Sequence, residues 1–146
     1  MTKAVPIVRG AMRGAIAAMA MSGLRQLTTS LGLVERIPPE SVLLHTAPGL
    51  LRRIPVKRRS ALVEVVHWSY GLAGGVFFGV LPRRLRRWRW AGPAYGFLFW
   101  AGYGAAIAPL LGISIRRGGL SEQLALLADH LLYGSVVGAA PWLHQD

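Results

Sequence analysis

Four apolar stretches, each close to the length of a bilayer crossing and each bordered by Arg or Lys, constrain this chain more than any other feature. A membrane-spanning helix needs ~20 predominantly apolar residues. The stretches run over about 6–27, 60–81, 91–115 and 121–142. They predict an all-α, polytopic membrane protein: one domain over residues 1–146, with four transmembrane helices and a long interfacial connection at 28–59. The first stretch is the weakest, because Arg9, Arg13 and Arg25 fall inside it. Long basic side chains near helix ends reach back to the headgroups, so this helix is expected to be tilted or partly interfacial. It also imitates a signal peptide's opening. No clean Ala-x-Ala site follows, and further apolar segments do, so it reads as a retained helix.

Composition agrees. Charged residues make up 16% of the chain, against about 25% in soluble domains. Eighteen glycines fit membrane helices, which tolerate Gly. The absence of Cys excludes disulfides, thiolate metal sites and Cys nucleophiles. The formal net charge of +11 is clustered in Arg52, Arg53, Lys57, Arg58 and Arg59, and again in Arg83, Arg84, Arg86, Arg87 and Arg89. Both clusters adjoin apolar runs, where anionic headgroups attract them by about 1 kcal/mol per residue. The expected partner is therefore an anionic lipid bilayer and not nucleic acid, for which no binding motif is present. Trp88, Trp90, Tyr95 and Trp142 lie near segment ends, as in interfacial aromatic belts.

Local signals set the boundaries. Ile37-Pro38-Pro39 interrupts any helix. Ser41 to Ala47 and Gly49 to Ile54 are short apolar stretches separated by Pro48 and Pro55. They read as a surface connection in the headgroup region, with a re-entrant or lid element as the alternative. Pro82 ends the second helix. Arg116-Arg117-Gly118-Gly119 suits the end of the third, and Ser121 suits the N-cap of the fourth.

Small residues recur every four positions. The stripes are Gly10, Gly14, Ala18 and Ser22; Gly71, Gly75 and Gly79; Gly92, Gly96, Gly104 and Ala108; and Gly134 and Gly138. That spacing puts each set on one helix face. Lipid gives helices no hydrophobic reason to associate, so close backbone contact across small residues supplies the attraction. The halves also echo each other. His67-Trp68-Ser69-Tyr70-Gly71 matches His130-Leu131-Leu132-Tyr133-Gly134, and Gly10-x-x-x-Gly14 matches Gly92-x-x-x-Gly96. A helical hairpin occurring twice, as a parallel repeat, is one reading; coincidence in a Gly-rich chain is the other.

Besides the arginines of the first segment and Glu122 at the start of the fourth, Glu64, His67, Asp129 and His130 fall within the apolar segments. Such residues are costly in a bilayer and are commonly functional. Three readings stand. The histidines fasten helices by hydrogen bonds; or the four residues form an ion-linked site; or the histidines ligate a haem or metal. A di-metal site lacks its second acid, because Leu127 stands where the match to Glu64 falls. Glu64 and His67 share a face. Asp129 adjoins His130 and points elsewhere on a regular helix. Glu64 reads as sitting at headgroup level. Asp129 is the strongest candidate for a functional charge, with Arg9, Arg13 or His67 as its partner.

No Walker loop, Gly-x-Ser-x-Gly, His-Glu-x-x-His or dinucleotide fingerprint is present, so no catalytic activity and no cofactor are expected. The dense loop from Pro82 to Trp90 places both termini in the cytoplasm by the positive-inside rule. Near balance of charge between the two sides also admits dual insertion, as in a small homodimeric transporter.

A first helix followed by Pro38-Pro39, a His-bearing second helix, a third ending near Leu111-Gly112, then Ser121-Glu122 before a helix with His130-Leu131 resembles the YagU-like family. This is a group of small bacterial inner-membrane proteins classed as a domain of unknown function. The resemblance implies a polytopic inner-membrane location and carries over no catalytic residue. The expectation is a structural or accessory membrane protein. A small transporter or ion-linked carrier is the alternative, and a bis-His haem protein the distant one.

Overall fold

The computed structural model describes residues 4–33, 38–112 and 119–139. Among them all regular structure is helical: α1 (Ala4–Ser30), α2 (Pro38–Thr46), α3 (Pro48–Arg53), α4 (Val56–Val80), α5 (Arg83–Arg86), α6 (Ala91–Gly102), a π-helical turn (Tyr103–Ile107), α7 (Ala108–Leu110) and α8 (Leu120–Val137). The expectations placed on Arg116, Arg117, Gly118 and Trp142 lie outside the described residues.

The long helices run alternately up and down. α1 packs along α4, α6 along α8, and α1 also along α8. The pairs of close residues fix the directions: Gly10 meets Gly75 and Gly79 meets Pro6 in the first hairpin, while Gly92 meets Gly138 and Gly96 meets His130 in the second. Small residues dictate this packing. A Cβ on Gly75 would fall 2.0 Å from the Gly10 carbonyl oxygen, and one on Gly134 2.1 Å from that of Gly92. Only hydrogen fits there, so the backbones touch directly.

The two hairpins are not in the register of the sequence echo. A Cβ on Gly10 or Gly14 would strike the carbonyls of Gly75 and Gly71; one on Gly92 or Gly96 would strike those of Gly134 and His130. Laying Gly10 on Gly92 thus pairs Gly75 with Gly134, whereas the sequence match pairs Gly71 with Gly134. The second seam is slipped by one helical turn.

Helix ends follow local chemistry. α1 runs three residues past its expected end and stops at Gly32, whose φ is +71°. Leu33 N–H bonds Thr28 O and Gly32 N–H bonds Thr29 O, the pattern of a left-handed glycine cap. Pro38 and Pro39 start α2 instead of excluding helix, because a first-turn Pro loses no helical bond. The 28–59 connection is accordingly not a plain surface loop. Leu43 of α2 and Leu51 of α3 pack on Val63 of α4 in a small apolar cluster. The third segment ends at Leu110 and not at 115: Pro109 removes a backbone donor, and Gly112 turns at φ +68°. Pro109 also accounts for the π turn just before it, since its ring crowds the carbonyl four residues back. α8 starts at Leu120 with Gly119 as its N-cap, so Ser121 lies in the first turn.

Among the described residues one helix, Val56–Val80, is by itself long and apolar enough to cross a membrane. Its first turn carries Lys57, Arg58 and Arg59 at the positive end of the helix dipole, which is unfavourable in water.

Candidate functional site

The glycine seams occupy the half of the bundle that holds the start of α1 and the end of α4. Beyond Gly71 and Gly96 the facing residues become large, and the helices line a half-open cavity of about 160 Å³. α1 contributes Met21 and Arg25, α4 contributes Val66, His67, Tyr70 and Gly71, and α8 contributes Leu126, Asp129, His130 and Tyr133. Phe99 and Trp100 of α6, with Tyr103 and Ile107 at the two ends of the π turn, form the remaining wall, and Val42 of α2 reaches it. Wide π turns occur often at functional sites, and this one shapes the lining directly. The volume matches a ~150 Å³ cavity that accepts a benzene-sized guest.

Five of the residues in the wall, Tyr70, Phe99, Trp100, Tyr103 and Tyr133, are aromatic. Tyr70 and Phe99 rings lie 5.6 Å apart, as do Phe99 and Tyr133. Two hydroxyls are tied to α4 backbone: Tyr133 donates to Gly71 O at 2.6 Å, and Tyr95 to Gly74 O at 2.6 Å. Tyr95 is therefore not part of an interfacial belt; its ring packs edge-on against Phe78 and tilted against Phe99, each at 5.1 Å. Removing the Tyr133 hydroxyl deletes one such bond. Tyr133→Phe is expected to lower stability by about 1 kcal/mol in a denaturant titration in micelles.

The charged end is built around Arg25, which is only 4% exposed. It does not reach for headgroups. Its Nη2 lies 3.0 Å from His67 Nδ1. Guanidinium has no acceptor, so this ring nitrogen must accept, and the His67 proton sits on Nε2. His130 shows the opposite arrangement: Nδ1 lies 2.7 Å from the Leu126 carbonyl, so it donates and Nε2 keeps its lone pair. Glu64 and Asp129 both attract the Arg25 guanidinium. Glu64 accepts from Ser22, whose oxygen in turn accepts from Trp68 Nε1 at 3.2 Å. Glu64 is thus tied to α1 instead of standing free at the headgroups. Arg13 likewise turns inward and donates to Val137 O at 3.0 Å, at the negative end of α8.

The four ionisable residues read from the sequence divide as follows. His67, Asp129 and His130 all line the cavity. Glu64 joins them through Arg25 and does not line it. Asp129 and His130 do not point to separate places: neighbours on a helix differ by about 100°, and the cavity is wide enough to take both. Arg25 is the residue the sequence reading missed as Asp129's counter-charge, because its place near a helix end disguised it as a headgroup anchor. Its position about three turns beyond Gly14, on the buried face, was the available signal. Among the described residues no three His, Asp or Glu side chains gather closely enough to hold a metal ion. Both histidine Nδ1 atoms are engaged, and the cavity suits a guest far smaller than a tetrapyrrole.

What the arrangement offers chemically is an apolar, aromatic chamber with one cation and one anion at its end. Arg25 Nη1 and Asp129 Oδ1 are buried and have no hydrogen-bond partner among the described residues. No known family, no curated protein and no solved structure matches this chain.

Proposed function

We propose that the chain is a four-span protein of a bacterial inner membrane, similar in kind to the YagU-like proteins, and that its bundle binds and carries a small solute through the chamber between α1, α4, α6 and α8. One observation carries this reading: the polarity of the bundle is inverted. On α1, Val8, Met12 and Ile16 are 56%, 54% and 54% exposed, while Arg13, Ser22, Arg25 and Thr28 of the same helix are buried. Phe77 and Val80 of α4 and Leu98 of α6 are exposed in the same way. In water this is an extended apolar surface around a charged core; in lipid both halves are well solvated.

Lengths support four crossings. At 1.5 Å per residue, α1 spans about 40 Å, α8 about 27 Å and the continuous run from Ala91 to Leu110 about 30 Å, against a hydrocarbon core of ~30 Å. Exposed Arg52, Arg53, Lys57 and Arg58 crowd one end and exposed Arg83, Arg84, Arg87 and Arg89 the other. Anionic headgroups at both ends suit them. The chamber lies level with the middle of α4 and beside an interrupted helix, the place where carriers hold their solutes.

A second reading, an accessory protein whose polar groups only fasten helices, is favoured by the closed links Trp68–Ser22–Glu64 and Arg13–Val137. Single cysteines separate the two, because the chain has none of its own. In native membranes, Val66→Cys in the chamber is expected to react with a small, water-soluble thiol reagent at least tenfold faster than Ile16→Cys on the outer face. Equal, fast reaction at Ile16→Cys would overturn the membrane reading. Inertness at both positions, with the protein still in the membrane fraction, would leave the fastening role standing.

A further inference from the structure

Two residues that line the chamber each hold a buried atom without a partner among the described residues, and the two atoms have opposite character. Arg25 Nη1 can only donate and Asp129 Oδ1 can only accept, and the residues are 4% and 3% exposed. Leaving a buried polar atom unsatisfied costs free energy, and more so for a charged group. A lone cation in the chamber would satisfy Asp129 and leave Arg25 both unpaired and repelled. A lone anion would do the reverse. Glu64 attracts the guanidinium but accepts from Ser22 outside the lining, and it leaves Arg25 Nη1 without a hydrogen-bond partner. A guest with an anionic and a cationic head satisfies both atoms at once with charge-assisted hydrogen bonds. His67 and His130 also line the chamber, and the remaining wall, Tyr70, Phe99, Trp100 and Ile107 among it, is apolar and calls for an apolar body. The volume sets the scale of that guest at about six to nine non-hydrogen atoms, by comparison with a benzene-sized site.

We propose that the chamber is a binding site for a small apolar zwitterion, an α-amino acid of about the size of valine, with its carboxylate on Arg25, its ammonium on Asp129 and its side chain against the aromatic wall. The inference rests on the chamber being a solute site, and it names the class of solute. Aromatic faces add to the affinity for the ammonium end.

Equilibrium binding to the purified protein in detergent tests it, using L-valine, isobutylamine (the same body without the carboxylate) and 3-methylbutanoate (without the ammonium). L-valine is expected to bind saturably and to raise the melting temperature, with each single-headed analogue at least tenfold weaker. Asp129→Asn is expected to abolish the preference for L-valine over 3-methylbutanoate and to keep the preference over isobutylamine; Arg25→Gln is expected to do the converse. Isobutylamine binding as tightly as L-valine would overturn the proposal in favour of a lone-cation site. Absence of saturable binding by L-valine, L-leucine and L-proline would also overturn it. The comparison of the three probes uses the unaltered chain, so it stands even if a variant fails to fold. Fast labelling of Val66→Cys with no binding would sink this inference and leave the membrane reading intact.

Discussion

Gly75→Ala is expected to destabilise the bundle by about 2 kcal/mol, and Gly75→Leu by more, in a denaturant titration in mixed micelles. The added Cβ falls 2.0 Å from the Gly10 carbonyl oxygen and 2.8 Å from the Gly14 Cα. Both neighbours are backbone, so no side chain can swing away, and α1 must retreat from α4. Overpacking of this kind costs about 1–3 kcal/mol. Ala gains about 1 kcal/mol over Gly in helix propensity, which the clash must exceed. Gly23 supplies the control. It is on the same face-to-face pair of helices, yet nothing lies within 4 Å of its Cβ position, so Gly23→Ala is expected to leave stability unchanged or slightly raised. Equal effects at the two positions would show that direct backbone contact is not what joins these helices.

Arg25→Met is expected to cost about 3 kcal/mol, and much of that is expected to return when Asp129→Asn is added. The single change removes the cation that Glu64 and Asp129 attract and the donor to His67. Breaking a buried charge pair strands the partner, which is more damaging than replacing both members. The double variant leaves a neutral amide in place of the carboxylate, so its loss is expected to fall short of the sum by about 1–2 kcal/mol. A double-mutant cycle read by unfolding in micelles measures this directly. Strict additivity would mean that Arg25 and Asp129 do not act as a pair.

Much of the architecture was legible because glycine spacing is a strong local signal. The stripes at Gly10–Gly14, Gly71–Gly79, Gly92–Gly96 and Gly134–Gly138 are the surfaces on which α1, α4, α6 and α8 meet. The charged residues were harder to read. Arg13 and Arg25 are common as headgroup anchors near helix ends, and only the packing of α1 against α4 and α8 turns them inward. Tyr95 looked like a belt residue for the same reason: its place near a segment end is visible in the sequence, but the direction of its ring depends on the partner helix. Asp129 and His130 were assigned to different faces by helical periodicity, which cannot anticipate a cavity broad enough to admit both. The sequence echo located the hairpins and missed their offset, because matching letters along the chain does not specify how two helices slide past each other.

The π turn from Tyr103 to Ile107 gives one wall of the chamber a freedom the others lack. A wide turn holds an extra residue that ordinary α pitch would expel, so a switch between the two pitches would rotate the wall without breaking the helix. Both glycine contacts of α6, at Gly92 and Gly96, lie on the near side of the turn. The chamber's shape could then change while the fastened half of the bundle stays still, with motion and mechanical support assigned to opposite ends of the same helix.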